Sequence, residues 1–227
     1  MMKVFVVYCH PSRNSFTYKV KEEFLRGLKD ANHEFVVSDL YQMNFKGDIS
    51  EEEYEREAFY RTEIPVADDV LEEQRKIQES DGIVFIYPVF WTEAPAKLVG
   101  WFNRVWTTGF AYDPNPQMKV LKKALFILSA GNTLKTLEET GEANAMRTVM
   151  LGDRIRNRAI EKEMIIFDGT SHWDEELREN KICGRIRLEN TLKQLINWVF
   201  TFNIIAVKIK TKSGVCLKEF MDVICMN

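Results

Sequence analysis

The chain has 227 residues, 45% of them hydrophobic and 29% charged, which suits a globular protein that buries a substantial core and excludes a mainly disordered one. Its 31 basic and 34 acidic side chains leave a net charge of −3 with no basic face, which argues against nucleic acid as a partner. The cysteines Cys9, Cys183, Cys216 and Cys225 lack the spacing of a disulfide scaffold, and no apolar run suits a membrane span, so a cytoplasmic protein without a transmembrane segment is expected.

Val4 to Tyr8 is a continuous run of β-branched and aromatic residues, the pattern of a central strand covered on both faces. From Ser15 the apolar residues Phe16, Val20, Phe24, Leu25 and Leu28 recur at helical spacing. Phe35 to Val37 reads as a second strand, followed by a loop through Leu40, Tyr41, Met43 and Gly47. Glu51, Glu52 and Glu53 begin a surface helix and read as a solvated face. Residues 66–79 read as another helix, and Gly82 to Tyr87 as a buried strand ended by Pro88. Residues 94–107 form the next helix, and Ala124 to Leu128 a fourth strand running into Ser129, Ala130, Gly131 and Asn132. The pattern from about Glu142 to Lys162 is mostly helical, Met164 to Phe167 is a fifth strand, and Arg185 to Trp198 a last amphipathic helix.

Five strands alternating with helices predict an α/β fold in three layers, a five-stranded parallel sheet with helices on both faces. The expected division is one domain over residues 1–200 and a tail over residues 201–227, which reads equally as an added strand, a packing arm or a dimer contact.

In such a sheet ligands bind beyond the carboxyl ends of the strands, and three loops fall there. The loop from His10 to Phe16 joins the first strand directly to a helix, whose N-terminal N–H groups can meet a phosphate; Ser12, Ser15 and Thr17 add hydroxyl donors, and His10 and Arg13 add charge or polar donors. A capped helix with no ligand would look the same locally. Neither G-x-G-x-x-G nor the P-loop pattern occurs. The second loop, Pro88, Val89, Phe90 and Trp91, sets large aromatic groups where core gives way to solvent, and so offers a wall for a planar ring. The third, Ser129 to Asn132, offers polar rim contacts, with Gly131 permitting close backbone approach. The separated His10, His33 and His172 form no metal-binding pattern, and G-x-S-x-G is absent.

The segments His10 to Tyr18, Ser38 to Phe45, Pro88 to Val105 and Gly109 to Tyr112 resemble, in order, the NAD(P)H:quinone oxidoreductase, or DT-diaphorase-like, family. The resemblance implies a flavodoxin-like sheet of order 2-1-3-4-5, a homodimer, a bound FAD with FMN as the alternative, and reduction of quinones or similar acceptors by NAD(P)H through ping-pong two-electron hydride transfer. It implies flavin contacts at His10, Ser12, Ser15, Phe16, Thr17, Pro88, Val89, Phe90, Trp91, Ser129, Gly131 and Asn132. Arg185 is similar in placement to an arginine near the dinucleotide part of FAD, and Tyr112 to an aromatic residue lining the substrate pocket, so that Trp91 and Tyr112 are the expected active-site residues. An ungapped comparison sets Leu137 and Ala143 where the family's best-studied members carry a tyrosine and a histidine that assist the reduced flavin. The competing readings are a non-enzymatic flavin module, either an electron carrier or an accessory subunit of a membrane ion-transport system, and an interaction protein without cofactor.

Overall fold

A computed structural model of the chain describes residues 1–170; the helix expected over Arg185–Trp198, Arg185 itself, His172 and the tail over 201–227 lie outside the described residues. Five parallel strands, β1 (Lys3–Tyr8), β2 (Glu34–Asp39), β3 (Gly82–Pro88), β4 (Leu121–Ser129) and β5 (Ala159–Phe167), form one sheet in the order β2-β1-β3-β4-β5. This is the flavodoxin-like arrangement. The runs that read as buried strands are so: every residue of β3 is buried, as are Val4 to Tyr8 of β1.

The two faces of the sheet carry separate apolar layers. Val4, Val6, Val84, Ile86, Leu125 and Ile127 pack under Val20, Phe24 and Leu28 of α1 (Phe16–Asp30). Phe5, Val7, Phe85 and Phe126 pack on the other side under Leu98, Trp101 and Phe102 of α4 (Ala96–Val105), with Val70 and Ile77 of α3 (Asp68–Glu79) alongside. Phe85 stacks on Phe126 at 4.8 Å between centroids, and each such buried side chain contributes about 2–3 kcal/mol. Among the described residues no helix is long and apolar enough to cross a membrane.

A buried carboxylate ties this second layer together. Glu73 of α3 is fully buried and accepts hydrogen bonds from Ser38 Oγ at 2.8 Å, Lys76 Nζ at 2.6 Å and Trp101 Nε1 at 2.8 Å. With each oxygen met by a donor, the desolvation that an isolated buried charge would suffer is offset.

The segment between β2 and α2 (Glu51–Ala58) is strapped to α4 along one face of that helix. Lys97 Nζ donates to Phe45 O at 2.5 Å, and Arg104 Nη1 to Lys46 O at 2.9 Å. Between them Gly100 meets Gly47 so closely that a Cβ on Gly100 would stand 2.2 Å from Gly47 O.

Two expectations are corrected. Glu51 and Glu52 are exposed, but Glu53 is not simply solvated: it closes a capping box with Ser50 and pairs with the buried Arg104 at 2.6 Å, because α4 passes beside the first turn of α2. The helical pattern also ends earlier than Lys162. Short helices α5 (Leu134–Glu139) and α6 (Glu142–Arg147) lead into a π-helical stretch, Thr148–Ile155, and Arg156, at φ 49°, turns the chain into β5. Ala159 to Glu163 become strand through pairing with β4, aided by the Lys123–Glu161 ion pair at 3.0 Å; their mostly exposed, polar side chains carry no strand signal of their own.

Candidate functional site

Because all five strands run the same way, their carboxyl ends share one edge, and the loops after β1, β3 and β4 meet there. Cys9 N donates to Ile86 O at 3.0 Å and Val89 N to Ser129 O at 2.8 Å, which holds neighbouring loop starts side by side. The buried hydroxyls of Thr17 and Ser129 lie 2.7 Å apart, joining the first turn of α1 to the end of β4. The third loop is anchored in turn to the end of β5: Ala130 N donates to Phe167 O, Thr170 N to Ala130 O and Gly169 N to Asn132 O. Asp168 accepts from Leu134 N at 2.6 Å and so fixes the start of α5.

The first loop is a set of nested turns. Ser12 N donates to His10 Nδ1 at 2.9 Å, Asn14 N to Ser12 Oγ at 3.2 Å, and Ser15 Oγ to Ser12 O at 2.9 Å. Ser15 is the N-cap of α1, its hydroxyl accepting from Tyr18 N at 3.1 Å. The N-terminal end of α1 thus opens at the sheet edge, where helix N–H groups and the helix dipole favour an anion. Burial pushes the His10 imidazole below its ordinary pKa, against the opposing Ser12 backbone contact. Arg13 is the exposed cation of this loop.

The second loop is a two-residue turn, with Phe90 N donating to Glu93 O and Glu93 N to Phe90 O at 2.8 and 2.9 Å. Its central residues, Trp91 at φ 51° and Thr92 at φ 65°, are both left-handed, a geometry that ordinarily takes Asn-Gly. A bulky or β-branched residue there costs of order 1–3 kcal/mol. Trp91 is 100% exposed and Phe90 is also exposed, while Pro88 is buried at the strand end. The turn therefore holds a flat aromatic ring out into solvent at the edge where the three loops meet. The half-buried Gly131 and the exposed Asn132 border it, and Gly131 does not use the left-handed region.

Tyr112 is not brought to these loops within the chain. Helix α4 starts at the carboxyl edge and runs back, so the residues after it lie at the amino edge. There Arg158 Nε donates to Ala111 O, Gln78 Nε2 to Gln117 O and Lys122 N to Asp81 O. Trp91 and Tyr112 are thus separated by the length of the seven-residue β3, roughly 20 Å. Tyr112 is held by a residue that carried no functional signal in the sequence: its hydroxyl donates to Glu57 Oε2 at 2.5 Å. Leu137 and Ala143 are buried in the same apolar cluster as the α4 residues, so neither position presents a polar side chain to the loops.

The family model described as a flavodoxin-like fold matches residues 2–154. NAD(P)H dehydrogenase (quinone) 1 of Rattus norvegicus is 35% identical over 150 residues, which are 58% of this chain and 54% of that protein, so the chain spans about half the length of that relative. Ribosyldihydronicotinamide dehydrogenase (quinone) of Mus musculus is 33% identical over 162 residues, covering 64% of this chain and 70% of that one. Among solved structures, the NAD(P)H:quinone oxidoreductase from Methanothermobacter marburgensis superposes with a TM-score of 0.77 at 41% identity, covering 87% of this chain and 96% of its own. The chain belongs to the NAD(P)H:quinone oxidoreductase family of flavodoxin-like fold.

Proposed function

We propose that the chain is a flavin-dependent NAD(P)H oxidoreductase that reduces quinones or similar acceptors by ping-pong two-electron transfer. The observation that carries this reading is the Phe90–Glu93 turn. A fully exposed tryptophan held at a strained backbone position, beside a capped helix start and an open strand end, has no stability role of its own; it suits a face for a planar ring.

Each of the three loops would have its own part in holding a flavin. The start of α1, with Ser12, Ser15, Phe16, Thr17, His10 and Arg13, would hold the phosphate; the nested turns fix the loop, and the helix N-terminus with its dipole favours an anion without a glycine-rich motif. Pro88, Val89, Phe90 and Trp91 would bear on the ring, and Ser129, Gly131 and Asn132 on its polar rim. The flavin, when bound, supplies two-electron hydride chemistry, and the protein supplies orientation and exclusion of water. Leu137 and Ala143 move no proton, so charge on the ring would be met by rim N–H groups of the third loop. FAD is the proposed form, from the placement of Arg185 in the family resemblance, with FMN as the alternative.

Tyr112 enters this reading only through a second copy of the chain. With Tyr112 and Trp91 on opposite edges of one sheet, a pocket containing both needs two chains, which supports a homodimer in which each copy completes the other's site.

The test is direct. The purified protein is expected to be yellow, to release a flavin on acid denaturation, to bleach anaerobically with NADH or NADPH, and to recover its colour when a quinone is added. A protein that takes up neither FAD nor FMN overturns the assignment; flavin uptake without bleaching points instead to a non-enzymatic flavin module.

A further inference from the structure

The loop at the amino edge is organised by one carboxylate. Glu57 Oε2 accepts from the Tyr112 hydroxyl at 2.5 Å and from the backbone N–H of Thr108 at 2.6 Å, while Arg56 Nη1 donates to Oε1 at 2.7 Å. Tyr60, itself left-handed at φ 55° and 57% exposed, stands edge-on to the Tyr112 ring at 6.4 Å. The Tyr112 ring is therefore oriented by a hydrogen bond at its tip and by an aromatic neighbour at its side. A phenol has one proton to donate, and here the carboxylate takes it. What remains on the Tyr112 oxygen for any bound molecule is its lone pairs.

We propose that Glu57 is a positioning residue for Tyr112, and that through it the site favours electron acceptors bearing an N–H or O–H beside their carbonyls over acceptors that present carbonyls alone. This rests on the quinone-reductase reading above, in which Tyr112 faces the substrate. The groups facing the Tyr112 hydroxyl are Glu57, Tyr60 and Arg56; burial first, then the hydrogen bond to Glu57, push its ionisation above the ordinary phenol range. That gives the clamp a readout that needs neither flavin nor turnover.

The experiment uses the full chain as wild type, Glu57→Ala, Glu57→Gln, Tyr112→Phe and the Glu57→Ala/Tyr112→Phe double variant, each first checked by thermal melting. Tyrosinate absorbance is followed as pH is raised, and kcat/KM is measured for 2-amino-1,4-naphthoquinone and 1,4-naphthoquinone. The ratio between the two acceptors, compared between variant and wild type, cancels their intrinsic difference in reactivity. It is expected to fall about fivefold in Tyr112→Phe, the factor carried by one hydrogen bond of about 1 kcal/mol. Glu57→Ala should lower the ratio similarly and move one tyrosine ionisation down toward the ordinary range, the share due to burial remaining. The double variant should fall no further, since both changes remove one interaction. Glu57→Gln, whose amide oxygen can still accept from Tyr112 and Thr108, should keep the wild-type ratio.

Normal turnover with the same ratio in every variant overturns the role of Glu57 and leaves the enzyme reading standing. An unshifted tyrosine titration in Glu57→Ala overturns the clamp itself. A wild type that binds flavin but reduces neither quinone defeats the quinone-reductase reading and the acceptor preference together.

Discussion

Replacing Trp91 by asparagine and Thr92 by glycine should make the protein more stable and less able to hold its proposed ring ligand. Trp91 is 100% exposed, so its removal forfeits no buried area, and the turn it occupies is closed by backbone hydrogen bonds that the new residues keep. Thr92 at φ 65° is β-branched in the left-handed region; relief there is of order 1–3 kcal/mol, less about 0.5–1 kcal/mol for the entropy glycine loses on folding. An asparagine tolerates the φ of 51° at Trp91 better than tryptophan does, so the pair of changes should gain about 1–2 kcal/mol together. Urea denaturation of the flavin-free chain reads the gain as a higher midpoint at unchanged slope. Flavin titration should show weaker binding in the same protein. A midpoint that drops, or flavin affinity equal to wild type, would refute the argument that backbone strain at this turn is kept for the sake of the ring.

Gly100→Ala should destabilise by about 2 kcal/mol or more, since the new methyl meets Gly47 backbone and not a side chain that can swing aside; a melting curve indistinguishable from wild type would count against the close approach. Burial is the largest single influence on Glu53 and works against its ionisation, yet the Arg104 hydrogen bond and charge together with the Ser50 capping bonds outweigh it and hold the carboxyl below the ordinary range; for Asp69 the Arg104 hydrogen bond is the largest cause and acts in the same direction. Both folded values being depressed, this stabilisation is present above about pH 4 and fades as pH falls further, so Arg104→Met should flatten the acid limb of a stability–pH profile; an unchanged limb contradicts it. Coexpressing a Trp91→Ala chain with a Tyr112→Ala chain should restore about a quarter of the wild-type sites, in mixed dimers alone. Activity no greater than that of either variant by itself would exclude a site shared between copies.

Most of the sheet was legible in the sequence because its strands are continuous apolar runs, and Ser15 announced the start of α1 through capping chemistry. Residues 134–139 gave too short a periodic signal for a helix, and the front of β5 is polar because only its pairing with β4, not burial, makes it a strand. The meeting of the three loops at one edge was legible because parallel strands put their carboxyl ends together. The left-handed turn at Trp91 and Thr92 was not, since neither residue type advertises that geometry. Glu57 was hidden in a charge-rich helix, where one carboxylate looks like another until Tyr112 and Thr108 are seen converging on it. The separation of Tyr112 from Trp91 was in principle readable: a helix that follows a parallel strand must return toward the strand's start, and Tyr112 follows that helix.

Helix α4 begins just beyond the Trp91 turn and ends just before the Tyr112 loop, and Lys97, Gly100 and Arg104 stitch its length to the chain between β2 and α2. In the proposed dimer it would be a strut of about 15 Å with its two ends at two different pockets. Drift of the helix along its axis would there disturb a wall in its own copy and a ring in the neighbour's at once, and the stitching to residues 45–47 opposes such drift.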